Sequence, residues 1–295
     1  MSPSPGRRLR DAMAAQTPLL LPGVHDALSA RLAERTGFAV GYLSGSATAM
    51  SLLGLPDIGL LTGSELIEQA RRVASACDLA LVCDADTGFG NAVNVAYTVR
   101  ALEAAGAAGV QLEDQTFPKR CGHFSGKSIV AAEEMLEKVH AAVEARRDDD
   151  FVIVARTDAR AVAGLDEAID RGLRYAEAGA DVIFVEAPQT VEELGAVAAR
   201  IAAPTLVNVV EGGRTPQLSL SEYAELGFAV VLYPTAAVRT AAHSLGTLYA
   251  HLRASGTTEG AAAGMVSFAE RNAITDFDAF EELAARAADA ASENR

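Results

Sequence analysis

Eight short apolar runs, each followed by a helix-forming stretch, predict a (β/α)8 barrel, and the polar residues at the C-terminal ends of the runs point the same way. The runs cover residues 19–22, 39–43, 79–83, 109–112, 151–155, 181–185, 205–209 and 229–232. They have the length and aliphatic content of strands buried on both faces. Between them, 64–78, 91–106, 131–146 and 165–179 are rich in Ala, Leu, Glu and Arg, and several close on glycine, as capped helices do. A doubly wound open sheet shares this alternation, but eight evenly spaced units with polar exits favour closure.

After the eighth run the pattern changes. Residues 235–255 read as a long helix, and 258–271 and 276–291 as two more with no strand between them. The expected organisation is a barrel catalytic domain over 1–255 and a C-terminal helical extension over 256–295. The alanine-rich extension suits packing on its own barrel or exchange between subunits.

Composition narrows the partners. Half of the 295 residues are hydrophobic, enough for a large core. Lys and Arg number 25 against 39 Asp and Glu, so the net charge of −14 disfavours phosphate backbones and anionic lipid. No nucleic acid or membrane partner is expected. The apolar Leu19-Leu20-Leu21-Pro22 is too short for a signal-peptide core and is broken by proline, so a cytoplasmic protein is expected. Cys77, Cys83 and Cys121 form neither a dense disulfide framework nor the paired spacing of structural zinc, which agrees with a reducing compartment.

Barrel enzymes carry their chemistry at the C-terminal ends of strands. Here those ends read Ser44-Gly45-Ser46, Asp84-Ala85-Asp86, Glu113-Asp114-Gln115, Arg156-Thr157-Asp158, Glu186, Asn208 with Glu211-Gly212-Gly213, and Tyr233-Pro234. Asp84 and Asp86 share strand parity and can address one ion. A hard dication held by few carboxylates and completed by water is typically magnesium, and manganese fits as well. A single acid such as Asp114 or Asp158 serves equally as a helix N-cap. Ser44-Gly45-Ser46 lets backbone N–H groups approach a carboxylate, and Arg156 can grip one bidentately or pair with Glu186 or Asp158 along the rim. His25-Asp26 reads as a helix start, and His140, His243 and His251 lie in helical stretches without a role.

The segment Phe117-Pro118-Lys119-Arg120-Cys121-Gly122-His123 sets one thiol among basic and titratable side chains in a proline- and glycine-bounded loop, surroundings that favour thiolate. Cys83, within Leu79-Ala80-Leu81-Val82-Cys83, has the apolar context of an inert core cysteine.

Taken together these residues resemble the isocitrate lyase and phosphoenolpyruvate mutase superfamily. Its lyase branch carries a Lys-Lys/Arg-Cys-Gly-His signature, matched by Lys119-Arg120-Cys121-Gly122-His123. The likeness extends through Gly41-Tyr42-Leu43-Ser44-Gly45, Leu55-Pro56-Asp57-Ile58-Gly59, residues 84–90, Asn208 and Tyr233-Pro234. It implies a magnesium-dependent barrel, often a tetramer with exchanged C-terminal helices, acting on 2-oxo or 2-hydroxy acids. By residue matching, Asp84 is the direct metal ligand, and Asp57, Asp86 and Glu113 hold metal-bound waters. Tyr42, Ser44, Gly45, Ser46 and Arg156 bind the 2-oxo-acid portion. Lys119, Arg120, Cys121, Gly122 and His123 belong to a gating loop that excludes water. Cys121 is then a proton donor to the departing carbanion, with Lys119, Arg120, His123, Glu113 and Arg156 as the surrounding catalytic set.

Methylisocitrate lyases resemble this chain at Cys121, Phe184, Glu186, Leu232 and Arg239. The stretch Asn208-Val209-Val210-Glu211-Gly212-Gly213-Arg214-Thr215-Pro216 is closer to dimethylmalate lyases and carboxyphosphonoenolpyruvate mutases. Val266-Ser267-Phe268-Ala269-Glu270 lacks an arginine that methylisocitrate lyases place near the substrate. The leading expectation is therefore a carbon–carbon lyase cleaving a 2-hydroxy di- or tricarboxylate, such as a substituted malate or methylisocitrate, to pyruvate or another 2-oxo acid. A phosphonomutase forming a carbon–phosphorus bond stands second, and a metabolite-binding pseudoenzyme third.

Overall fold

The computed structural model describes residues 3–122 and 126–293, with side chains through 291. Eight parallel strands close into a barrel in sequence order: β1 Leu19–Val24, β2 Val40–Leu43, β3 Ala80–Asp84, β4 Gly109–Glu113, β5 Val152–Thr157, β6 Val182–Val185, β7 Thr205–Asn208 and β8 Val230–Tyr233. β1 pairs with both β2 and β8, so no edge is left open. The expected runs match these strands to within about two residues at their ends.

Strand parity sorts the side chains into two cores. Alternate residues such as Leu21, Tyr42, Val82, Val154, Phe184, Leu206 and Leu232 fill the barrel interior. Their neighbours Leu43, Leu81, Val110, Ile153, Ile183 and Val207 pack outward against the helices. The helix Pro5–Ala15 contributes Leu9 to the interior cluster. Continuing the inward parity one step toward the C-terminal ends gives Asp84, Glu113, Arg156 and Asn208. The period that fills the core with aliphatics thus also delivers a polar layer to the mouth.

The intervening helices are strongly capped. Asp26 caps Ala27–Arg35 through a capping box with Ser29, in line with the helix-start reading of His25-Asp26. Thr62 with Glu65 does the same for Gly63–Ala74, and Asn91 with Asn94 for Ala92–Ala104. The chain divides into two compact units, Met1–Val238 and Arg239–Arg295. The helix Ala236–Ser255 spans that division.

The expected helix at 258–271 is not continuous. Gly256 and Gly260 adopt positive φ, a 3-10 turn occupies Ala262–Gly264, and a new helix, Phe268–Ile274, starts where Ser267 caps it with Glu270. Left-handed glycines end helices, and the alanine content of this stretch masked them. Phe277–Glu293 is helical as expected. Among the described residues no helix is long and apolar enough to cross a membrane.

Candidate active site

Three buried carboxylates converge at the barrel mouth. Asp84, Asp86 and Glu113 each place an oxygen within 4.8 Å of the others. Asp84 ends β3, where its Oδ2 accepts from Gly45 N–H at 3.1 Å and its Oδ1 from Gln111 Nε2 at 3.1 Å. Asp86 lies beyond the strand at φ +48°, so a left-handed turn, and not strand parity, returns its carboxylate to the cluster. Glu113 ends β4 with 1 % exposure, and its Oε1 has no hydrogen-bond partner among the described residues.

Cations face this cluster without neutralising it. Lys119 Nζ pairs with Asp57 and stands 2.9 Å from Asp86 Oδ1. Burial opposes its charge, but Asp86, Asp57, Glu113 and Asp84 outweigh burial and raise the ammonium well above its ordinary range. Lys119 therefore holds its proton and acts as a fixed charge. Arg156, on β5, forks onto Asp158 with Nε–Oδ2 at 2.9 Å and Nη2–Oδ1 at 3.0 Å. The same guanidinium lies 3.2 Å from Glu113, 3.6 Å from Glu186 and 5.2 Å above the Phe184 ring. Burial raises Asp86 to about 7 despite Lys119, and raises Glu113 well above its usual range despite Arg156. Two acids that burial drives toward protonation, Asp86 and Glu113, the latter with an orphaned oxygen, fit a dication when grouped with Asp84.

A cavity of about 70 Å³ opens beside the triad. Asp84, Lys119, Cys121, Arg156, Glu186 and Asn208 are among its polar lining, with Phe184, Val210 and Leu232 as apolar wall. Tyr42 lines it too, but burial, then the Asp84 charge, raises its phenol well above the ordinary value, so it keeps its proton. Ser44 accepts from Ala47 N–H and starts the short helix Gly45–Thr48. The Gly45 N–H that the sequence assigned to substrate is engaged by Asp84. Ser46 and Asp57 line the cavity.

The segment 114–130 carries the thiol to this cavity. Thr116 N–H donates to Ser128 O at 2.9 Å and Val130 N–H to Asp114 O at 2.8 Å, which ties the two limbs together. Gln115 clamps the backbone of Arg120 in both directions, donating to its O at 2.8 Å and accepting from its N–H at 3.0 Å. Cys121 is half-buried, and Gly122 is buried against Glu186 and Arg156. Lys127, on the return limb, donates to Gly122 O at 2.5 Å and to Asp158 Oδ1 at 2.6 Å.

The sequence-selected residues thus separate into groups. Tyr42, Ser44, Ser46, Asp57, Asp84, Lys119, Cys121, Gly122, Arg156, Glu186 and Asn208 meet on one cavity, with Gly45, Asp86 and Glu113 directly behind it. Arg120 is exposed and is not among the cavity-lining residues, because the alternation of this extended segment buries Lys119 instead. Arg239 belongs to the second compact unit. His123 lies outside the described residues.

Neither acid weighed as an N-cap acts as one. Asp158 makes no side-chain cap bond and instead joins Arg156 to Lys127. Asp114 is enclosed by Thr157 Oγ1 at 2.7 Å, Arg171 at 3.0 Å, Tyr175 at 3.0 Å and the Asp158 N–H at 2.8 Å. Sequence reading missed Lys127 and Gln111. The inward parity of β4 was the available signal for Gln111; nothing local marked Lys127.

Acids, bases and a cavity gathered at the C-terminal mouth define a barrel enzyme whose acidic triad is able to hold a divalent metal. The chain belongs to the family described as phosphoenolpyruvate phosphomutase, which matches residues 9–253. It is 45% identical over 276 residues to 2,3-dimethylmalate lyase of Eubacterium barkeri, covering 94% of this chain and 96% of the relative. Carboxyvinyl-carboxyphosphonate phosphorylmutase of Arabidopsis thaliana is 45% identical, with 91% and 80% covered. A 2-methylisocitrate lyase of Aeropyrum pernix is 44% identical, with 86% and 81% covered. Among solved structures, 2,3-dimethylmalate lyase, a PEP mutase/isocitrate lyase superfamily member, superposes with a TM-score of 0.90 at 32% identity, covering 97% of this chain and 96% of the other. Phosphonopyruvate hydrolase with oxalate and Mg2+ gives 0.87 at 34% identity, covering 96% and 99%. Enzymes of this superfamily depend on a divalent metal, and the acidic triad here is able to hold one.

Proposed function

We propose that this enzyme is a magnesium-dependent carbon–carbon lyase that cleaves a 2-hydroxy di- or tricarboxylate, of the 2,3-dimethylmalate or 2-methylisocitrate type, to a 2-oxo acid and a second carboxylate. The observation that carries the reading is the meeting of Cys121 with Arg156 and Asp84 on one cavity. It combines a proton donor, an anion-binding cation and a metal ligand.

Asp84, with Asp86, Glu113 and Asp57 around it, would hold the ion. When bound, magnesium stabilises negative charge developing on the reacting oxygen. Arg156, its plane set by the fork on Asp158, offers its remaining donors to a substrate carboxylate in competition with Glu113 and Glu186. The substrate hydroxyl gives its proton to a base, for which Glu113, its Oε1 without a hydrogen-bond partner among the described residues, is the candidate. The C–O bond becomes the 2-oxo group, and the electrons of the cleaved carbon–carbon bond leave with the second fragment. Cys121 protonates that fragment and remains as thiolate. Lys119, Gly122 and the wall of Phe184, Val210 and Leu232 keep water from the carbanion.

Magnesium, in preference to manganese, a cytoplasmic location, a barrel domain at 1–255 with an extension at 256–295, and a homotetramer complete the proposal. Exposed Phe268, Phe280 and Leu283 in the C-terminal helices support self-association. The likeness to methylisocitrate lyases supports a substrate-carboxylate role for Arg239, and the Lys-Arg-Cys-Gly-His signature supports roles for Arg120 and His123.

The test is 2-oxo-acid release from 2,3-dimethylmalate, 2-methylisocitrate, isocitrate and oxaloacetate by purified enzyme with Mg2+, with Cys121→Ser alongside. Turnover of one hydroxy acid that falls by about 10²–10⁴-fold in Cys121→Ser is expected. No release from any of them refutes the lyase. The relationship to the Arabidopsis phosphorylmutase gives phosphonomutase as the second reading, which phosphorus NMR detects as a new carbon–phosphorus bond.

A further inference from the structure

Gln111 occupies an inward position of β4, opposite Asp84 in the register with β3. It is fully buried. On one side, Tyr42 Oη donates to its Oε1 at 2.7 Å. On the other, its Nε2 donates to Asp84 Oδ1 at 3.1 Å. The two bonds fix each other. A reversed amide would turn its carbonyl toward the carboxylate and leave Tyr42 facing an NH2 group with no acceptor. Buried polar chains of this kind hold one arrangement because every alternative strands a donor or acceptor.

We propose that Gln111 is the positioning residue of the metal site, and that it acts by holding the Asp84 carboxylate in the orientation that joins Asp86 and Glu113. Tyr42 acts through Gln111 by fixing which end of the amide faces Asp84. This rests on the reading of Asp84 as a ligand for a dication. Because Tyr42 also lines the cavity, the relay ties the ligand's orientation to the wall that receives the substrate. Gly45 N–H on the other Asp84 oxygen, and Asp86 N–H at 3.3 Å from Oδ1, complete the cradle.

The experiment measures Mn2+ affinity of the metal-stripped full-length protein by titration calorimetry, without substrate, for wild type, Gln111→Met, Tyr42→Phe, the double variant and Asp84→Ala. Gln111→Met keeps the length of the side chain and removes its donor, and it weakens binding by about 10–100-fold, the usual cost of losing an outer-shell partner. Tyr42→Phe weakens binding by a smaller factor. The double variant binds within about twofold of Gln111→Met, because Tyr42 has nothing left to orient. Gln111→Met within about twofold of wild type, or effects that add fully in the double variant, overturns the proposal. Should Gln111→Met fail to fold by circular dichroism, Tyr42→Phe decides, and unchanged affinity there overturns it. Asp84→Ala separates the underlying reading: binding as tight as wild type removes the metal site itself, whereas loss in Asp84→Ala without loss in Gln111→Met removes only the relay.

Discussion

Gly122→Ala is the sharpest test of how the thiol-bearing segment meets the barrel. A β-carbon at Gly122 would lie 2.6 Å from Arg156 Nη2 and 2.7 Å from Glu186 Cγ, and would overlap the Glu186 carboxyl carbon as well. Relief requires about 1 Å of movement, since non-bonded carbon contacts settle near 3.5–4.0 Å. Neither neighbour yields easily. Arg156 is forked onto Asp158, and Glu186 is fully buried beside Asn208. The segment itself must therefore lift, and Cys121 moves with it. A 1 Å misplacement of a reacting group costs roughly 10²-fold in rate, or about 2.7 kcal/mol of transition-state stabilisation. The assay is 2-oxo-acid release from the best substrate of the panel, coupled to NADH oxidation, with Mn2+ affinity as the control. We expect kcat/KM to fall by about 10²-fold while metal affinity holds, because the atoms nearest the added carbon belong to Glu186 and Arg156 and not to the triad. A kcat/KM within about threefold of wild type would refute the steric argument.

Two further outcomes follow from the same geometry. Desolvation pushes the Asp158 carboxyl up, but Arg156 and Lys127 outweigh it and leave it below its ordinary range. A carboxylate with a depressed folded-state pKa adds stability above its unfolded value of about 3.9 and loses it as pH falls through the folded value. Asp158→Asn takes the charged partner from buried Lys127 and the carboxylate fork from Arg156, and should cost about 3 kcal/mol. The gap in thermal midpoint between wild type and variant stays constant from about pH 8 to 5 and closes only below about pH 4; a gap that shrinks already between about pH 7 and 5 contradicts the assignment. Metal removal gives the second. Mn2+ at about a hundred times its Kd should stabilise the stripped protein by about 2.7 kcal/mol in thermal unfolding, and Asp84→Ala should show no such gain. An equal gain in both proteins would place the ion elsewhere.

The barrel was legible in the sequence because its strands are locally encoded. Each is an apolar run short enough to be a strand, and a two-residue period within it decides which side chains face inward. That period also made Asp84, Glu113, Arg156 and Asn208 visible, since each is the last inward position of its strand, and Asp84, Arg156 and Asn208 directly follow an aliphatic one. The thiol segment was legible through its composition. The helical reading of 258–271 failed for the opposite reason: alanine content suggested a helix, while a left-handed Gly260 and the 3-10 turn Ala262–Gly264 broke it.

Other features belong to the tertiary structure alone. Which of Lys119 and Arg120 turns inward depends on how the segment 114–130 is clamped by Gln115 and Ser128, contacts formed across a loop. Lys127 carries no local mark, and its role arises only when the return limb brings it to Asp158, 31 residues away. For Asp114 and Asp158 the sequence left a helix cap and a site role equally open, and the contacts with Arg171, Tyr175 and Arg156 decide between them. Gln111 looked like one more strand residue, and only strand register puts its amide between Tyr42 and Asp84. A sequence determines local periodicity and composition directly, because neighbours along the chain share one backbone. Ion pairs and hydrogen-bond relays depend on distances between separate elements, and those distances exist only once the barrel has closed.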